Sequence, residues 1–338
     1  MNILISAIYA SAVGYIFKMD IDGSVTVIAE VGVNHNGDLN IAKKLIDIAV
    51  EATADIVKFQ MFRADELTIE GAPAAEYQKQ NLKKHISQYE MLKPLELSEG
   101  QLKSLQRYSV NSDIEFLSTA FDLDSLKSLI HIGCQRVKIG SGELTNAPFL
   151  TEVARINLPT ILSTGMANLE EIDWAVDKLY SNGLRSQNLT ILHCISNYPA
   201  HSRELNLYAI KTLKERYNVK VGYSDHSIGL DAALASVALG ATIIEKHITL
   251  SNKMLGPDHA ASMERDDFAD FVRRVKLMSQ SLGNGVKEPT EAEKTNRAIV
   301  RKSLVARSDI KKGDYFTEKN VTTKRPENGI PAHRYYEL

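Results

Sequence analysis

Between Val27 and Lys246, eight short runs rich in β-branched and aliphatic residues alternate with longer stretches whose apolar residues recur every three or four positions. The runs are Val27–Val31, Ile56–Met61, Glu115–Ala120, Arg136–Ile139, Thr160–Ser163, Leu189–His193, Val219–Tyr223 and Thr242–Lys246. Stretches such as Ile41–Glu51 and Leu169–Leu179 carry the helical period. Strands separated by helices form parallel βαβ units, and eight of them in roughly 250 residues predict a (β/α)8 TIM barrel, an α/β fold. The rival, a doubly wound open sheet, requires a glycine-rich turn after its first strand. Gly140-Ser-Gly142 follows the fourth run instead and lacks the third glycine.

The rhythm breaks in three places. Arg63 to Pro94 is too long for a simple βα loop and reads as a lid or binding loop on the catalytic face. Near Ser281 the alternation stops. Residues 283–298 read as a charged linker, and 299–338 as a small β-rich cap with too few residues for an ample core of its own. Residues 25–282 are then the barrel. Residues 1–24 form an extension whose apolar start lacks a basic n-region and is short for a membrane span, so a packed extension or a misplaced start is expected ahead of a signal peptide.

Composition excludes some classes. A formal net charge of -2 gives no basic excess with which to neutralise a nucleic-acid backbone. Only two cysteines occur, Cys134 and Cys194, both in apolar settings, so buried thiols and a reducing cytoplasm are expected, with no membrane partner.

A barrel of this kind carries its active site at the C-terminal ends of its strands. Those ends hold Glu30; Lys58 and Gln60; Ser118 and Thr119; Lys138, Ser141 and Glu143; Ser163 and Thr164; His193, Ser196 and Asn197; Ser224, Asp225 and His226; and Glu245, Lys246 and His247. Any one of these is more often a cap or a solvated side chain, but together they face one cavity. His226 and His247 end consecutive runs, so their imidazoles are expected to converge on a divalent metal completed by water or substrate oxygens, with Asp225 orienting His226. Lys58 and Lys138, with Ser141, Ser163 and Ser224, offer point charge and hydroxyl donors to a small phosphorylated carboxylate. The alternatives are a structural network balanced by Glu30 and Glu143, or a Schiff-base lysine.

At these residues the chain resembles the sialic acid synthase family, from Val27 to the C-terminus. The motifs are Ile28-Ala-Glu-Val-Gly-Val-Asn-His-Asn-Gly37, Val57-Lys-Phe-Gln60, Lys138-Ile-Gly-Ser-Gly-Glu143, Leu162-Ser-Thr-Gly-Met166 and His193-Cys194 up to Tyr198-Pro199. Gly222-Tyr-Ser-Asp-His226, Glu245-Lys-His247 and Gly256-Pro-Asp258 follow, and the C-terminal segment with Lys324-Arg-Pro326 is similar to that family's antifreeze-like (SAF) domain. The resemblance implies condensation of phosphoenolpyruvate with an N-acylated mannose-type sugar. N-acetylmannosamine, giving N-acetylneuraminate, is favoured over a diacetamido-trideoxy hexose, giving legionaminate or pseudaminate. It also implies a metal (Mn2+ or Mg2+) on His226 and His247, and phosphoenolpyruvate on Lys58, Lys138, Ser141, Ser163 and Ser224. Gln60, Tyr198 and Asp258 would contact the acceptor, with Glu30 and Glu143 moving protons. Arg325 of the partner subunit would reach the N-acyl group in a domain-swapped homodimer. At Ser196 the chain departs from the asparagine that often contacts the donor, and Asn197 stands one residue on. The cap also ends sooner than is usual in the family. A metal-dependent barrel hydrolase and a non-catalytic sugar-binding protein are the readings from other classes.

Overall fold

A computed structural model describes residues 25–82 and 86–337. All of the 1–24 extension therefore lies outside the described residues. The chain divides into two compact units, up to Leu282 and from Gly283 onward.

The first unit is a closed barrel of eight parallel strands in sequence order. They are β1 (Thr26–Gly32), β2 (Ile56–Met61), β3 (Glu115–Ala120), β4 (Val137–Ile139), β5 (Thr160–Ser163), β6 (Leu189–Cys194), β7 (Lys220–Asp225) and β8 (Ile243–His247). β8 closes on β1, with Glu30 opposite His247. Each strand lies within two residues of the run that predicts it. The helices form because polar residues satisfy their first N–H groups. Asp38 caps α1 (Leu39–Glu51), and among the helices that follow Asn168 and Glu171 form a capping box at α8 (Leu169–Ser181).

Side chains alternate along a strand, and here the alternation sorts chemistry by depth. At the inner base of the barrel Ile28, Ile56, Leu117, Ile161, Leu192 and Ile243 form a sealed apolar cluster. Two residues further along each of these strands, the inward positions are Glu30, Lys58, Thr119, Ser163, Cys194 and Glu245. The outward residues, among them Val57, Phe59, Ile191 and Tyr223, pack with the helices in a separate and larger core. Gly222 faces inward at the apolar level because nothing larger fits: a Cβ there would stand 2.5 Å from the Ile243 carbonyl oxygen and 2.5 Å from Leu192 Cδ2.

The insertion after β2 is structured. It holds α2 (Ala64–Leu67), α3 (Glu76–Leu82), α4 (Gln88–Leu92) and a 3-10 turn before α5 (Glu99–Asn111). In the second unit the expected linker is in part a helix, α12 (Glu291–Val300), which a Thr290/Glu293 capping box starts. Charge alone hid it, because no residue of this helix is buried. An antiparallel pair, β9 (Ser303–Ala306) and β10 (Val321–Lys324), follows. No helix among the described residues is long and apolar enough to cross a membrane.

Candidate active site

Above the apolar base the strands build a buried ionic cluster. Lys58 Nζ lies 2.8 Å from Glu30 Oε2 and donates to Thr119 Oγ1 at 3.0 Å. Lys138 Nζ donates to Ser163 Oγ at 2.8 Å. Glu245 sits between the two lysines, with Oε2 at 3.6 Å from each ammonium, and its Oε1 accepts from Ser224 Oγ at 2.8 Å. Gln60 Nε2 donates to Glu30 Oε1 at 3.3 Å. All four charged side chains are at least 95% buried.

Burying two cations and two anions together is costly unless each meets an opposite charge, and the cluster satisfies them unequally. Desolvation dominates at Glu30 and raises its carboxyl into the neutral range despite Lys58. At Glu245 desolvation also pushes upward, but Lys138 and Lys58 outweigh it and hold the carboxylate low. Lys58 is stabilised as a cation by both glutamates, which overcome its desolvation, whereas desolvation wins at Lys138 and lowers it. One carboxylate thus stays ionised between two lysines while the other titrates easily.

At the next inward positions, two residues beyond Ser224 and Glu245, stand His226 and His247, with ring centroids 5.5 Å apart. His226 Nδ1 faces the Ile195 carbonyl oxygen at 2.7 Å, which makes that nitrogen the N–H and leaves Nε2 as a lone pair, 3.3 Å from Ser224 Oγ. His247 Nδ1 is buried without a hydrogen-bond partner. Burial keeps both rings neutral, with His226 pushed down to about 4 and His247 held well below the ordinary imidazole range. Two neutral imidazoles with an orphaned buried nitrogen, beside the Glu245 carboxylate, suit a divalent cation completed by non-protein oxygens. No group of three or more His, Cys, Asp or Glu that could hold a metal occurs among the described residues.

Ser141 lies on the edge of the cluster. Its Oγ is 3.3 Å from Cys194 Sγ and accepts from the Gly165 N–H at 3.0 Å. Gly165 has no room for a side chain: a Cβ would stand 2.2 Å from Ser196 Oγ and 2.9 Å from Ser141 Oγ. Tyr198 covers the histidines, its ring 4.0 Å from that of His226 and 5.5 Å from that of His247. Asp258, on the loop after β8, is buried and pushed up to about 6 by desolvation.

Three sequence expectations change. Asp225 does not orient His226. It faces outward, pairs with Lys246 Nζ at 2.9 Å and accepts from the Ser227 backbone N–H and hydroxyl. Asn197 is exposed, and its Oδ1 accepts from the Tyr198 N–H, so Ser196 rather than Asn197 adjoins the site. Glu143, in a short 3-10 turn after β4, stands apart from the ionic cluster. Its carboxyl is raised by burial, accepts from Asn146 and feels the charge of Asp122. Arg325 is exposed in the second unit. Glu245 and Thr119 appear among the strand-end residues, but no role is assigned to them from sequence; the structure makes Glu245 the hub of the cluster.

Both buried thiols are free cysteines, as expected. The family model described as the NeuB family matches residues 45–287. The chain belongs to this family. It is 49% identical over 92% of its length, and 93% of the relative's, to N,N'-diacetyllegionaminic acid synthase of Campylobacter jejuni. It is 45% identical to the Legionella pneumophila protein of the same name, over 90% of this chain and 86% of that one. Among solved structures, N-acetylneuraminic acid synthetase from Leptospira borgpetersenii, in complex with citrate, matches with a TM-score of 0.72 and 36% identity, over 81% of this chain and 90% of that one. This NeuB-family chain is therefore a synthase of the sialic acid and legionaminate group, and its first unit is the TIM barrel that group uses.

Proposed function

We propose that the enzyme condenses phosphoenolpyruvate with an N-acylated mannose-type sugar to give a nine-carbon acid and phosphate. The observation that carries this reading is the buried Glu30–Lys58–Glu245–Lys138 cluster directly beneath the two histidines. Phosphoenolpyruvate is a small trianion at most. Lys58 and Lys138, with Ser141, Ser163 and Ser224, would bind its phosphate and carboxylate. The residue types at His226 and His247 suit Mn2+ or Mg2+, which when bound would polarise the acceptor's aldehyde.

C3 of phosphoenolpyruvate forms the new bond to C1 of the open-chain sugar. Water adds to C2, and the tetrahedral carbon releases phosphate together with the bridging oxygen. Glu30, raised toward neutrality and touching both Lys58 and Gln60, would take the proton of that water. Gln60, Tyr198 and Asp258 would hold the acceptor.

For the acceptor, the sequence favours N-acetylmannosamine, with the diacetamido-trideoxy hexose as its alternative. The identity to two legionaminic acid synthases supports the second. The second unit is read as a SAF-type cap, from which Arg325 of the partner subunit would reach the acceptor's N-acyl group in a homodimer. In support, the loops at the barrel mouth leave Ile69, Met166, Tyr208, Ile228 and Leu255 exposed. A cytoplasmic location goes with both substrates. Phosphate release should require phosphoenolpyruvate, acceptor and divalent metal together; turnover by an H226A/H247A double variant at the wild-type rate would refute the roles given to the histidines.

A further inference from the structure

The insertion after β2 places one more side chain at the site. Its helix α3 is held over the barrel mouth from both sides. At its base Gln88 N–H donates to the Ala72 carbonyl at 2.8 Å and Pro73 bridges to Ser87; across the mouth Asn81 Nδ2 donates to the Pro257 carbonyl at 2.6 Å. This brings Tyr77 onto Tyr198, ring centroids 5.0 Å apart and 28° from parallel. Tyr198 in turn lies 4.0 Å from His226. Three rings thus run outward in series from the histidine pair, and the charge of Asp258 bears on both tyrosines.

We propose that Tyr77 is an acceptor-specificity residue, closing the far end of the acceptor pocket and favouring sugars whose C6 carries no hydroxyl or phosphate. This rests on the synthase reading above. The acceptor's C1 must react beside the histidines, and an open six-carbon chain reaches roughly 6 Å at standard bond lengths. Its C5–C6 end therefore arrives at the second ring step, where Tyr77 stands. An aromatic face rewards a methyl group through dispersion and offers a hydroxyl nothing in exchange for its lost water. A phosphate there would meet the negative charge that Asp258 exerts on both tyrosines. Because an apolar wall discriminates weakly against an added hydroxyl, the selectivity is expected to be about 10- to 100-fold rather than absolute.

The test measures kcat and KM for a 2,4-diacetamido-2,4,6-trideoxymannose, for N-acetylmannosamine and for phosphoenolpyruvate, with wild type, Y77F and Y77L. Y77L should raise KM for the trideoxy sugar about tenfold and shrink the ratio of kcat/KM between the two sugars, while KM for phosphoenolpyruvate moves less than about twofold. Y77F should keep that ratio, since the ring and not its hydroxyl makes the contact. A Y77L ratio equal to wild type, or a parallel rise in KM for phosphoenolpyruvate, overturns the proposal while leaving the synthase reading intact. Wild-type enzyme that turns over neither sugar removes the synthase reading, and the proposal with it.

Discussion

Lys246→Met should be among the most destabilising single substitutions in the barrel, although Lys246 takes no part in the chemistry. Lys246 and Asp225 lie on the outward side of β8 and β7 with side chains 1% and 0% exposed, their charges 2.9 Å apart. The ammonium also donates to the Ser227 carbonyl and lies 5.9 Å from the Phe271 ring centroid. Removing the cation leaves the Asp225 carboxylate with only the two Ser227 donors in an apolar wall. Breaking a buried pair from one side costs about 3–5 kcal/mol. At roughly 2–4 °C per kcal/mol, that lowers the melting temperature by about 6–20 °C. Replacing both partners by apolar residues, in D225L/K246M, leaves no stranded charge and should recover much of the loss. Urea denaturation of the two single variants and the double one measures this. A K246M cost below about 1 kcal/mol, or a double variant as unstable as the sum of its singles, would refute the reasoning.

Other outcomes follow from the site. Gly165→Ala drives a methyl into Ser196 Oγ, 2.2 Å away, and should cost on the order of 100-fold in kcat/KM with little change in melting temperature; steady-state kinetics beside a melting curve separates the two effects. Ser196→Val should raise KM for phosphoenolpyruvate whereas Asn197→Ala should not, and equal effects would restore the role first read into Asn197. His35 and His259 are both pushed down to about 4 by burial, so the folded protein binds fewer protons than the unfolded chain between there and 6.5. The contribution of these two histidines is therefore full above pH 6.5 and falls as acid is added toward pH 4, by up to about 1.4 kcal/mol per pH unit for each, and the raised carboxyls of Glu30 and Asp258 offset part of it. Denaturant midpoints at pH 7, 5.5 and 4.5 check the slope, and a flat profile would contradict it.

The barrel is legible in the sequence because each parallel strand is a short apolar run that a helix must follow. The site is legible because, Cys194 aside, the inward positions one level above the base carry polar residues. What the motifs leave out comes from the two-residue period of the strand. Ser224 and His226 share the inward side, so Asp225 between them turns outward and meets Lys246, itself between Glu245 and His247. The same parity continues Cys194 to Ser196 and passes over Asn197. Glu245 escapes assignment because its role depends on Lys58 and Lys138, which are distant in sequence and reach it only when the barrel closes. Tyr77 escapes for a different reason: its insertion has neither period, and only the fold shows which ring it covers.

The most direct test of the central claim uses phosphoenolpyruvate labelled with 18O at the bridging oxygen, supplied with the acceptor sugar and a divalent metal. The account predicts a nine-carbon acid in equal amount with phosphate, and the label in the phosphate. Label retained in the organic product, or phosphate released at the same rate without acceptor, would contradict it.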